Sequence, residues 1–135
     1  MDKKTQKQRF CEACFNGNLI LAKKLLKTYD LTDEDVRSDK NQALRWACYN
    51  GHTPVAQWLA ETFTLTIEDA RSKDNCALRW ACQNGHASTA QWFLDTFYTV
   101  EDALEINKYN EFSKEMKEWL QNYQPIGVLT KAVEM

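Results

Sequence analysis

Apolar residues along this chain fall at helical spacing, and the same pattern returns one period later. Leu44, Ala47 and Cys48 lie at i, i+3 and i+4 and are followed by Asn50-Gly51. That is the stripe of an amphipathic helix from Gln42 to about Tyr49, with Asn41 as its N-cap and a glycine able to close it in the left-handed conformation. His52-Thr53 opens a second helix, with Pro54 tolerated in its first turn and Val55, Trp58, Leu59 and Phe63 as its apolar stripe. The string from Leu44 to His52 returns 34 residues later, from Leu78 to His86. Ala56-Gln57-Trp58-Leu59 returns in the same register as Ala90-Gln91-Trp92-Phe93, and a weaker copy lies upstream in Ala13-Cys14-Phe15-Asn16-Gly17-Asn18. A period of this length predicts a stacked array of helix pairs, in which each unit buries its apolar face against its neighbours.

The segments between pairs carry their own signal. Thr32 and Thr66 are each followed three residues on by an aspartate, Asp35 and Asp69. This N-cap pattern predicts short helical connectors over Asp33–Arg37 and Ile67–Arg71. Lys4 to Asn16 and Leu19 to Tyr29 form a first pair, with Leu21, Ala22, Leu25 and Leu26 inward and a lysine-rich outer face (Lys3, Lys4, Lys7, Lys23, Lys24, Lys27). Val100-Glu101-Asp102-Ala103 repeats the connector with a one-residue slip, and Phe112, Met116, Trp119, Leu120 and Tyr123 mark a closing helix. The reading is therefore all-α: a short solenoid with capping helices at both ends. One domain spans 1–124, divided into a cap unit at 4–30, repeats at about 31–64 and 65–98 and a C-terminal cap at 99–124; the tail is 125–135.

Composition narrows the function classes. With 4 Gly and 2 Pro in 135 residues, a turn-rich β fold is disfavoured, and a formal charge of −2 supplies no bulk attraction to nucleic acid or acidic membranes. No apolar run approaches the roughly 20 residues of a membrane span, and Met1-Asp2-Lys3-Lys4 lacks the apolar core of a signal peptide. Cys14, Cys48 and Cys82 share one repeat position, where helix spacing of about 8–10 Å keeps them apart, so they read as small buried hydrophobes. The Cys11-x-x-Cys14 pair lies within a helical pattern with no second pair and no nearby His, which favours packing over metal or redox work. An intracellular, cytoplasmic setting follows. Two His at repeat-equivalent positions, four scattered Gly and carboxylates that cluster in connectors build no catalytic constellation, no phosphate loop and no metal site. The chain is expected to be non-enzymatic, with no cofactor.

The repeat resembles the ankyrin repeat. That family's core string is Thr-Pro-Leu-His-x-Ala-Ala-x-x-Gly-His, and the segments from Gln42 to His52 and from Cys76 to His86 lie on it in phase with the period. Resemblance is strong from Asn41 to about Phe97, weaker from Arg9 to Asn41, and fades beyond Leu104. Two departures stand out. Thr-Pro-Leu-His becomes Gln-Ala-Leu-Arg and Cys-Ala-Leu-Arg, so the family's Thr–His hydrogen bonding is missing. The glycine expected two residues earlier is Lys40 in one unit and Asp74 in the next, which implies that the left-handed turn of the family's hairpin is lost and favours a helical connector. The Ala-Leu-Arg-Trp-Ala style is similar to repeats of large DNA viruses of protists and of amoebal or intracellular bacterial genomes, implying a host protein as partner.

By the same resemblance the concave face is lined by Glu12, Phe15 and Asn16, by Trp46, Tyr49 and Asn50, and by Trp80, Gln83 and Asn84. Trp and Tyr dominate interface energetics, and Arg45 and Arg79 stand beside them, so cations over rings are expected. Arg37, Arg71, Lys40, Lys73 and Asp74 would edge the groove. The expected partner-binding set is Phe15, Arg45, Trp46, Tyr49, Arg79, Trp80, Gln83, Lys40, Lys73 and Asp74, on a monomer that grips another protein and does not act on membranes. Tyr49 is the strongest candidate because its counterpart, Gln83, differs. Trp46 and Trp80 are equally well read as stacking residues that replace the lost Thr–His network. Two alternatives remain at this point: single-stranded nucleic acid on an Arg/Trp ladder, which the net charge disfavours, and a small or modified ligand in an aromatic cage.

Overall fold

The computed structural model describes residues 1–99, 102 and 114–121. Helix α1 (Lys3–Phe15) starts where the Asp2 carboxylate accepts the Thr5 N–H, and α2 (Leu19–Thr28) where the Asn18 side chain accepts the Leu21 N–H. There follow α3 (Asp33–Tyr49), α4 (Thr53–Thr62), the short α5 (Ile67–Ala70), α6 (Ser72–Gln83), α7 (Ala87–Phe97) and α8 (Lys114–Gln121). The chain belongs to the all-α class expected: α1, α3 and α6 pack in succession as one row, and each carries its partner α2, α4 or α7 on the other side.

Repeat-equivalent residues build the core. Ala13, Ala47 and Ala81, then Cys14, Cys48 and Cys82, are buried along the inner row, and Phe10, Leu44 and Leu78 fill the space between rows. Small residues on a helix face allow neighbouring helices to approach closely. All five cysteines are buried and free; burial pushes the Cys11 and Cys82 thiols up to about 12 and those of Cys14 and Cys48 higher still, so these four are not poised as thiolates. The histidines join successive units. Gly17 and Gly51 both close helices at φ +71°, and a side chain at either would overlap the imidazole of His52 or His86 from the next unit.

The connectors correct the sequence reading. Thr32 and Asp35, and Thr66 and Asp69, form reciprocal capping boxes, and Thr99 repeats the pattern with Asp102 one residue early. The left-handed turn, however, is not lost. Asp39, Lys40 and Asn41 have φ of +55° to +59°, and Lys73, Asp74 and Asn75 have +56° to +59°. Such backbone costs about 1–2 kcal/mol per non-glycine residue, so it persists only where its surroundings hold it. Arg45 supplies that hold, donating from Nε to the Lys40 carbonyl at 3.0 Å and from Nη2 to the Asp39 carbonyl at 2.8 Å. Arg79 repeats the arrangement on Asp74 and Lys73.

Asn41 is likewise not an N-cap. Its buried amide donates to Asp69 Oδ1 at 3.1 Å and to Ser72 Oγ at 3.0 Å in the next unit. Leu21, expected to face inward, is instead 37% exposed. Helix α8 lies within the expected closing helix; Phe112, Tyr123 and the tail 125–135 fall outside the described residues.

Candidate functional site

Two columns of side chains run along the inner row at repeat-equivalent positions: Glu12, Trp46 and Trp80 in one, Phe15, Tyr49 and Gln83 in the other. On an α-helix, positions three or four apart share a face, so each helix offers both columns to the same side. Phe15, Trp46, Tyr49 and Trp80 come together and, with Gln8 and Glu12, line one open cavity of about 450 Å³. Phe15 meets Trp46 edge-on at 5.5 Å and stacks beside Tyr49 at 5.9 Å, and Tyr49 meets Trp80 edge-on at 5.1 Å. These separations lie in the range where aromatic pairs attract beyond their area burial. The three inner helices are thereby bridged by one run of rings, of which Tyr49, at 38% exposure, is the most open.

The other expected residues lie elsewhere. Arg45 is buried beneath the groove, its guanidinium 5.8 Å from the Trp80 ring centre, and Arg79 is partly buried in the same relation to its own turn. Neither lines the cavity, nor does Gln83, which is exposed beyond Tyr49 in the second column. Lys40, Lys73 and Asp74 are exposed within the left-handed turns. Asn50 is structural, donating to the Phe15 carbonyl at 2.8 Å across the unit boundary, and Asn84 donates to the Trp80 carbonyl. Trp58 packs on Phe10 and Phe63, and Trp92 on Phe93 and Phe97, away from the groove as expected of residues on the second-helix stripes.

Two features escaped the sequence reading. Gln8 precedes Glu12 by one helical turn and donates to its Oε1 at 3.2 Å, a relation that i, i+4 spacing alone could have flagged. The second is a ladder of ion pairs. Lys3, Arg37 and Arg71 stand 34 residues apart and pair with the capping-box aspartates of the following units: Asp35 at 3.3 Å, Asp69 at 3.2 Å and Asp102 at 2.7 Å. Arg37 also donates to the Phe63 carbonyl at 2.7 Å and pairs with Asp33.

All three aspartates have carboxyls held below the ordinary range. For Asp35 and Asp102 the backbone N–H of the capping threonine is the main cause. At Asp69 burial works the other way, but hydrogen bonds from Thr66, Asn41 and Arg37 outweigh it. Arg37 and Arg71 are thus committed to joining units.

The groove itself offers ring faces, an amide and a carboxylate. Its lining includes no nucleophile with an adjacent base, and among the described residues no cluster of His, Cys, Asp and Glu could hold a metal ion. No helix among the described residues is long and apolar enough to cross a membrane. A family model for ankyrin repeats, in three copies, matches residues 10–104. Comparison with curated proteins and with solved structures found no match. The chain belongs to the ankyrin-repeat family.

Proposed function

We propose that this member of the ankyrin-repeat family is a non-enzymatic interaction module that grips a partner protein in the groove along α1, α3 and α6. Ankyrin repeats as a class mediate protein–protein interaction. The observation that supports the groove is the meeting of Phe15, Trp46, Tyr49 and Trp80, from three successive units, around one open cavity. Rings presented on rigid helices are ordered before binding, so little conformational entropy is lost when a partner docks on them. The repeat style carries the reading one step further, to a monomeric adaptor or inhibitor acting on a host protein in the host cytoplasm.

The nucleic-acid alternative is weakened by where its cations are used. Arg45 and Arg79 donate to backbone carbonyls, and Arg37 and Arg71 pair with Asp69 and Asp102. The test is affinity capture from a candidate host lysate, with the wild-type chain beside a Tyr49→Ala/Trp80→Ala variant whose helicity is checked by circular dichroism. A protein retained by the wild type and lost from the variant supports the groove. Identical retention on both baits rejects it.

A further inference from the structure

The groove is aromatic along most of its length, yet its first column begins with an acid. Glu12 occupies the position held by Trp46 and Trp80 in the following units, and it lines the same cavity as their rings. It is the one ionisable acid among the lining residues, and no lysine, arginine or histidine is found there. The amide of Gln8 donates to Oε1, which steadies the carboxylate and leaves Oε2 open to a second donor. Ring faces carry negative potential, so electron-rich rings beside a carboxylate attract a cation and repel an anion.

Trp80 already accepts a guanidinium, that of Arg45, 5.8 Å from its ring centre. Arg45 is buried and committed to the Asp39 and Lys40 carbonyls, so it does not fill the cavity that Trp80 also lines. A phosphate backbone would meet Glu12 as a like charge, which sets nucleic acid against this surface.

We propose that the groove takes a lysine or arginine side chain from an extended, basic segment of the partner protein. The charged head lies against the rings of Trp46, Tyr49 and Trp80 and pairs with Glu12, while the aliphatic stem covers Phe15. This rests on the groove reading above and adds the chemistry of the anchor.

The probe is a random twelve-residue peptide library displayed on phage, selected on the full chain and counter-screened on the Tyr49→Ala/Trp80→Ala variant. Peptides that depend on the groove should be enriched in Lys or Arg at one anchoring position. In titrations of a selected peptide, replacing that residue by its neutral isostere (citrulline for Arg, norleucine for Lys) should weaken binding about tenfold. Glu12→Gln should weaken it about threefold, and Glu12→Lys should remove it, with circular dichroism and melting curves unchanged because Glu12 is exposed. Groove-dependent peptides with no basic enrichment, or indifference to the neutral replacement, overturn the cationic anchor and leave the groove standing. Selection of no peptide that distinguishes the two baits overturns both.

Discussion

The first and second helix pairs share a backbone plan, and the positions where they differ separate scaffold from surface. Helix α1 runs unbroken from Lys3 to Phe15, whereas α3 is interrupted by three left-handed residues, Asp39 to Asn41. At the equivalent position the first unit holds a buried Cys11 and the second a buried Arg45. The arginine is present where a left-handed turn offers carbonyls to be held and absent where there is no turn. Its recurrence as Arg79 therefore reflects folding. Glu12 and Trp46, also equivalent, differ for another reason: both sit in regular helical backbone, Trp46 in the part of α3 that follows the turn, and the exchange alters only what the groove presents. Leu21 and Val55 show a third kind of difference, since one apolar position is 37% exposed in the first unit and 1% exposed in the second.

The largest effect should come from removing the device that separates the units. Arg45→Ala leaves the Asp39 and Lys40 carbonyls without their donor and the turn without support, and should lower stability by about 3 kcal/mol in urea titration. Cys11→Ala, at the same position of the unit that lacks the turn, should cost about 1 kcal/mol. Equal losses would show that the turn stands without its arginine.

Next in size is the junction between units. Gly51→Ala sets a side chain both at φ +71° and against His86, whereas Gly85→Ala, at φ +73°, meets no described atom within 4 Å. Losses of about 2 and about 1 kcal/mol are expected, and adding His86→Ala should rescue part of the first and none of the second.

A smaller change has the opposite sign. Lys40→Gly removes the steric penalty at φ +58° and should stabilise the chain by up to about 1 kcal/mol. Lys23→Gly, on the exposed face of α2, should destabilise it by a similar amount. A destabilising Lys40→Gly would contradict the left-handed assignment.

The ion-pair ladder predicts the mildest effect. Asp35, Asp69 and Asp102 have folded-state pKa values below their unfolded ones, so their contribution is present above the unfolded pKa and is lost as pH falls through the folded one. Melting temperature should therefore decline as pH drops below about 4. Asp69→Asn should flatten that decline more than Asp35→Asn, since Asp69 alone of the three receives both an arginine and a buried amide. An unchanged slope in Asp69→Asn would remove the ladder from the acid response.

The period, the helix pairs, the capping threonines and the helix-closing glycines were all readable in the residues. Each is a local pattern: apolar spacing, a side chain bonding an N–H three residues on, a glycine where only glycine is unstrained. The two columns of the groove followed from the same periodicity once the family resemblance had oriented it. The tertiary structure alone decided that Lys40 and Asp74 adopt the conformation of the glycines they replace. Local sterics argue against that outcome, and the contacts that override them come from Arg45 and Arg79 on the following helix turns and from Asp69 and Tyr98 in neighbouring segments. It also decided which cations join units and which rings share a cavity. Such facts depend on distances between residues some 30 positions apart, and spacing along a chain does not set those distances until the units have stacked.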